Sequence, residues 1–211
     1  MSEIREILGV VPGLELLDLD DAGIGPSPAE DDLEPYDTFE ENARSKAEYF
    51  HRLSGLPTVA DDSGLEVDAL GGAPGVRSKR FAPGDDLDGL ERDLANNRHL
   101  VERLADTAEE ERTARYVCVA AFVEGASIGD RHALLEPGAD TTIFFRGEAA
   151  ALVIEVPRGN GGFGYDPHML DPDRGRTFAE MSPEEKNAKS HRGKAFRALA
   201  TVLADGMEAR A

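Results

Sequence analysis

Residues 114–123 (ARYVCVAAFV) and 141–156 read as two long strands, the second bending near Gly147, and they restrict the chain more than any other feature. Helical patterns stand on either side of them. Thr38 opens a helix with Glu41 three positions on, the pairing in which a hydroxyl and an acid satisfy each other's backbone donors. Phe39, Ala43, Ala47 and Phe50 share one face of it, and Gly55 and Pro57 end it. Leu87, Leu90, Leu94, Val101 and Leu104 mark a long helix. Ser182-Pro183-Glu184-Glu185 opens another, with proline at its first position. Phe196, Leu199, Ala200 and Leu203 give the last helix its apolar stripe. Residues 2–8 read as a short helix and residues 13–18 as a strand. Residues 58–60 form a short strand running into Asp61-Asp62-Ser63-Gly64, after which Leu65, Val67 and Ala69 alternate as a half-buried strand does. The expected fold is α/β, and because several strands are joined by short turns its sheet should be mixed.

At 211 residues the chain is long enough for one domain or one compact two-lobed unit. It shows no repeat or domain linker, and residues 26–37 are its most loop-like stretch. Asp and Glu number 42 against 23 Lys and Arg, a net charge of −19. Such a surface repels nucleic acid and anionic membrane, which require a basic footprint. Only 5 of the cations are lysines, a bias that fits either high-salt adaptation or arginine-rich codon usage. No run approaches the ~18 apolar residues of a membrane span, and the N-terminus lacks the pattern of a secretory signal. Cys118 is the single cysteine, so an intrachain disulfide framework and a cysteine zinc site are excluded. A cytoplasmic setting is the default expectation.

Four segments carry polar residues that a core does not require. In Ala60-Asp61-Asp62-Ser63-Gly64, two acids end an apolar strand. They suit Mg²⁺, a hard cation held by one or two carboxylates together with substrate phosphates; they also suit an ordinary Asp-Ser-Gly turn between strands. Residues 157–167 (PRGNGGFGYDP) contain G-x-G-x-x-G at Gly159, Gly161 and Gly164, but Asp166-Pro167 stands where a dinucleotide-binding helix would open. Phe163 and Tyr165 there can stack on a base and Asp166 can accept hydrogen bonds from its edge; a glycine-rich hairpin with one buried aromatic is the other reading. Lys186, His191 and Arg192 fan out at ~100° per residue if the helix is continuous. If it breaks near Ala188, Ser190 becomes a new N-cap and the cations gather at a helix N-terminus, where anions bind. Residues 71–81 set Arg77, Lys79 and Arg80 after a glycine-proline turn, either to hold phosphate or to balance Asp85 and Asp86.

Taken in order, TFEENARSKAE, ADDSGLEVDALGGAPGVRSKRF, RTARYVCVAAF, PRGNGGFGYDP, TFAEMSPEEKN and SHRGKA resemble the inosine triphosphate pyrophosphatase (Ham1/RdgB) family, over about residues 30–203. The resemblance implies one ITPase-like domain across residues 1–211: an elongated mixed sheet flanked by helices, in two lobes with a central cleft. It implies hydrolysis of non-canonical purine nucleoside triphosphates (ITP, dITP, XTP) to monophosphate and pyrophosphate, with Mg²⁺, in a homodimer. By motif match Asp62 is the catalytic acid and a metal ligand, and Ser63 touches substrate. Phe163, Gly164, Tyr165 and Asp166 form the base-side loop, and Lys186, His191 and Arg192 contact base and phosphates. Glu30 is placed as the second metal carboxylate by its distance from Glu34 and the following helix. Lys79 matches a substrate lysine of eukaryotic relatives.

The family opens with a strand and a T-G-N-x-x-K-x-x-E loop, whereas this sequence starts at the stretch just after that lysine, with Glu3 as the motif's last residue. The expectation is therefore a domain lacking that first strand and nucleotide loop, with much reduced activity; full turnover on inosine triphosphate would refute it. A catalytically impaired nucleotide-binding homologue is the alternative. A pyrophosphatase of modified pyrimidine nucleotides is a third reading.

Overall fold

The computed structural model describes residues 2–84, 86–124 and 141–208. Its helices are α1 (Ser2–Leu8), α2 (Phe39–Ser54), α3 (Gly89–Arg103), α4 (Pro183–Lys189) and α5 (His191–Glu208). Its strands are β1 (Thr58–Val67), β2 (Pro74–Gly75), β3 (Thr113–Val123), β4 (Thr142–Val153), β5 (Met169–Asp171) and β6 (Arg176–Thr177). They form an open six-stranded sheet in the order β2-β1-β3-β4-β5-β6. The antiparallel pairs β1–β2, β4–β5 and β5–β6 place Leu65 opposite Gly75, Leu152 opposite Leu170, and Leu170 opposite Thr177. The α/β expectation holds.

The chain divides into two compact units, one drawn from Met1–Asp62, Val119–Arg146 and Ala195–Ala211, the other from Ser63–Cys118 and Gly147–Lys194. In the first, α2 forms as its sequence dictates. Thr38 Oγ1 accepts from the Glu41 amide, Gly55 closes the helix with φ +68°, and Phe39, Ala43 and Ala47 are buried. In the second, Leu65, Val67, Leu100, Leu104, Val153, Met169 and Phe178 make one apolar cluster. Truncating a leucine such as Leu100 there removes about 2–5 kcal/mol of stability.

Three expectations are corrected. Residues 13–18 form no strand. Leu14 and Leu16 do alternate inward, but the acids serve a local turn: Asp18 and Asp21 each accept the other's backbone N–H, and Arg5 pairs with both. Side chains that bond nearby backbone compete with ladder formation. Second, β1 runs unbroken through Asp61-Asp62-Ser63-Gly64, so no turn interrupts it. The strand has no need to turn its acid out to water, because Asn42 and Lys46 of α2 meet Asp62 in place. Third, α3 is a helix, but its inner face is not the leucine stripe. Leu90 and Leu94 are exposed, while Arg92, Asn96, Asn97 and Leu100 are buried.

Candidate functional site

In the first unit the site is built on Asp62, whose side chain is 12% exposed. Its Oδ2 accepts from Asn42 Nδ2 at 3.1 Å, and its Oδ1 lies 3.4 Å from Lys46 Nζ. Asn42 and Lys46 stand four residues apart on α2 and therefore share a face. Asn42 also accepts from the Tyr36 amide and donates to the Tyr36 carbonyl, at 3.0 and 3.2 Å, which fixes the chain leading into the helix. Lys46 reaches Glu34 Oε1 at 2.6 Å. Burial pushes the Asp62 carboxyl above the usual carboxylate range; Lys46 and Asn42 pull it back, and nearby Glu34 pushes it up further.

Glu30, the expected second carboxylate, is engaged elsewhere. Its Oε1 accepts from the Ser27 amide at 2.8 Å, closing a capping box on the 3-10 turn Pro28–Asp32. The carboxylate that the structure brings to Asp62's neighbourhood is Glu34, through the shared lysine. The sequence signal for it was Lys46 in TFEENARSKAE, a cation on the inner face of α2 that calls for acids nearby.

In the second unit the centre is Asp166, 3% exposed. Tyr116 Oη donates to its Oδ1 at 2.9 Å, the Phe163 amide donates to its Oδ2 at 2.9 Å, and Lys186 forms an ion pair with Oδ2. Burial and then Asp166 itself raise the Tyr116 hydroxyl well above its usual pKa, so it stays protonated and donating. The Tyr116 ring stacks on His191, with centroids 5.2 Å apart and planes at 19°, and meets Phe178 edge-on. Lys186 Nζ lies 4.5 Å from the ring centroid of Phe163, a residue that is 76% exposed. Gly162 has φ +74°, and a Cβ there would fall on the Asp166 carboxylate, so the loop requires glycine.

The two aromatics of this loop therefore differ. Phe163 is largely exposed, with Lys186 over its ring, whereas Tyr165 is buried and donates its hydroxyl to the Ser78 carbonyl at 2.8 Å. Tyr165 anchors the loop and presents no stacking surface. The helix at residues 183–208 breaks at Ser190, which leaves helical geometry at ψ 131°. Its Oγ accepts from the Gly193 amide at 3.1 Å, so it caps α5 and sets His191 and Arg192 in that helix's first turn. Ser63 follows Asp62 in β1 and points to the opposite face of the strand. Arg77, Lys79 and Arg80 are exposed and form no ion pair among the described residues; Lys79 and Arg80 edge a hollow of about 390 Å³ with Phe81 and Arg92.

Thus Asp166, Lys186, Phe163 and His191 come together in one unit, around a residue the sequence had not singled out, Tyr116. Asp62 is gathered in the other unit with Asn42, Lys46 and Glu34.

Residues 1–202 match the family model described as the Ham1 family. The chain belongs to the Ham1 family. A dITP/XTP pyrophosphatase of Ralstonia nicotianae is 48% identical over 170 residues, covering 81% of this chain and 77% of that protein. A dITP/XTP pyrophosphatase of Frankia alni is 43% identical, covering 96% and 91%. Among solved structures, a Ham1 protein from Coxiella burnetii superposes with a TM-score of 0.78 at 34% identity, covering 97% of this chain and 92% of the other. Among the described residues of this Ham1 chain, no helix is long and apolar enough to cross a membrane.

Proposed function

We propose that this chain cleaves non-canonical purine nucleoside triphosphates, dITP, ITP and XTP, between the α and β phosphorus, releasing the monophosphate and pyrophosphate. The dITP/XTP pyrophosphatase relatives support the activity. The observation in this molecule that carries it is the mostly buried Asp62 carboxylate, which accepts from Asn42 and shares Lys46 with Glu34.

In this reading water attacks the α-phosphorus, the bond to the bridging oxygen breaks, pyrophosphate leaves, and Asp62 takes the water's proton. Little covalent chemistry is asked of the protein; orientation and charge neutralisation supply most of the acceleration. Among the described residues no cluster of three or more His, Cys, Asp or Glu forms an all-protein metal cage. Asp62 and Glu34, tied through Lys46, are instead a two-carboxylate oxygen set, which suits an ion that completes its shell with phosphates and water. Mg²⁺ held by Asp62 and Glu34 would neutralise phosphate charge and lower the pKa of a bound water. Phe163 offers its ring to the base. Lys186 and His191 supply donors that a 6-oxo purine satisfies and adenine leaves unpaired, an efficient basis for rejection. Arg192 and the first turn of α5 favour phosphate; Ser63, which faces away from Asp62 across the strand, is kept as a substrate contact on the family resemblance alone. A homodimer in the cytoplasm belongs to the same proposal, carried by the family resemblance.

The test is pyrophosphate release from dITP with Mg²⁺. Turnover is expected from the intact protein and a loss on the order of 10²–10⁴-fold from Asp62→Asn, with circular dichroism unchanged. A protein that binds dITP and releases no pyrophosphate would overturn the assignment in favour of a nucleotide-binding homologue.

A further inference from the structure

The polar inner face of α3 is the least expected feature of the second unit. The helix exposes Leu90 and Leu94 and, beside Leu100, buries Asn96 and Asn97, and a buried amide is unfavourable unless bonded. Each amide has a defined target. Asn96 accepts from the Ala82 amide and donates to the Ser78 and Lys79 carbonyls, which holds the turn after β2. Asn97 reaches a different segment. Its Nδ2 donates to the Gly164 carbonyl at 2.9 Å, while Asp93, one turn earlier, accepts from the Gly164 amide through Oδ2 at 2.9 Å. Residues four apart on a helix project side by side. The two side chains therefore grip both backbone polar groups of a single glycine, 67 and 71 residues further along the chain.

Gly164 has φ +60° and lies between the exposed ring of Phe163 and the buried ring of Tyr165. The peptides on either side of it decide where the Phe163 ring points. Phe163's own amide is fixed by Asp166, and Tyr165 is fixed by Ser78. The grip on Gly164 closes the gap between those anchors. Asn97 Oδ1 is buried with no hydrogen-bond partner in the described structure. A buried acceptor left unpaired is costly, so this amide is kept for the bond its Nδ2 makes.

We infer that Asp93 and Asn97 are positioning residues for the nucleotide base, acting through Gly164 to hold the Phe163 ring in its stacking orientation. The inference rests on the proposed function and deepens it. Neither side chain is assigned contact with substrate, so their loss weakens binding of the base and leaves the bond-breaking step intact.

The experiment pairs near-isosteric and truncating variants. Asp93→Asn retains an acceptor for the Gly164 amide, and Asn97→Asp removes the donor for its carbonyl without changing shape. Kinetics on dITP with Mg²⁺ should show KM about tenfold higher in Asp93→Ala and Asn97→Asp, the factor expected of one lost hydrogen bond. The same measurements should show kcat within about twofold of wild type and Asp93→Asn close to wild type on both parameters. Hydrogen exchange at the Gly164 amide, followed without nucleotide, should quicken in Asp93→Ala and not in Asp93→Asn. Unchanged exchange in Asp93→Ala overturns the grip itself. Faster exchange with unchanged KM overturns its role in placing the base while the hydrolase assignment stands. A wild-type protein inert on dITP removes the underlying function, and the nucleotide role with it, whatever the exchange shows.

Discussion

Asp62 in the first unit and Asp166 in the second are both shielded from water, and their surroundings treat the negative charge in opposite ways. Asp166 is saturated by a tyrosine hydroxyl, a backbone amide and a lysine. Asp62 has one amide donor and a lysine that stands closer to Glu34 than to it, and its carboxyl is pushed up by burial. A carboxylate whose needs the protein meets in full serves as a fixed anchor; one left partly unmet is disposed to take a cation or a proton from elsewhere. On the proposed function, the difference separates an acid that shapes the 157–167 loop from the acid assigned to the chemistry.

The sharpest way to break this contrast is to move the under-satisfied site's second carboxylate. Glu34→Gln should weaken the response of the initial rate to added Mg²⁺ by on the order of 100-fold. Glu30→Gln should leave that titration within about threefold of wild type, since Glu30 Oε1 already accepts from the Ser27 amide. The reverse ranking would restore Glu30 as the metal carboxylate. On the saturated side, Tyr116→Phe removes one of the three donors to Asp166. A hydrogen bond to a charged group contributes about 2 kcal/mol, so thermal unfolding should show Tm lower by about 5 °C, and KM for dITP should rise several-fold with kcat little changed. An unaltered Tm and KM would mean that Asp166 does not need the hydroxyl.

The smallest effect is the most diagnostic of Asp62. Its folded-state pKa lies above its unfolded value, so folding favours the protonated form, and the stability this contributes is lost as pH rises through the folded pKa. Asp62→Asn, which cannot ionise, should therefore raise the Tm of metal-free protein at neutral pH by about 1–3 °C. That advantage should shrink as pH falls toward the ordinary carboxylate range. A variant less stable than wild type at neutral pH would show that the charge is well accommodated.

Much of this was legible in the sequence because local chemistry and tertiary structure agree. Ser182 with Glu185 forms the reciprocal cap as in the sequence, whereas at Thr38 the hydroxyl accepts from the Glu41 amide and donates to the Glu41 carboxylate, so only half of the expected exchange forms. The break that turns Ser190 into a cap was foreseen as one of two outcomes and is the one realised. The resemblance gives Phe163, Gly164, Tyr165 and Asp166 as one loop and Lys186, His191 and Arg192 as separate contacts; of these, Lys186 meets Phe163 and Asp166, and His191 joins them through Tyr116. What was illegible depends on partners distant along the chain. The leucine pattern marked α3 as a helix but gave no sign of its buried amides, which are stabilised by backbone groups of other loops. Glu30 and Glu34 are alike in composition, and only the reach of Lys46 distinguishes them. Tyr165 and Phe163 are neighbours in one motif, yet a single carbonyl at Ser78 draws one inside and leaves the other out. Tyr116 sat in an apolar strand, where its hydroxyl gave no sign of finding an acid.

The exposed ring of Phe163 also offers an optical handle. The chain contains no tryptophan, so Phe163→Trp would install a lone indole on the loop proposed to meet the base. Its indole emission would arise from that single position, with the Lys186 ammonium beside it and no second indole to mask the signal. Arrival of a purine would then be visible directly, in real time, before any phosphate is released.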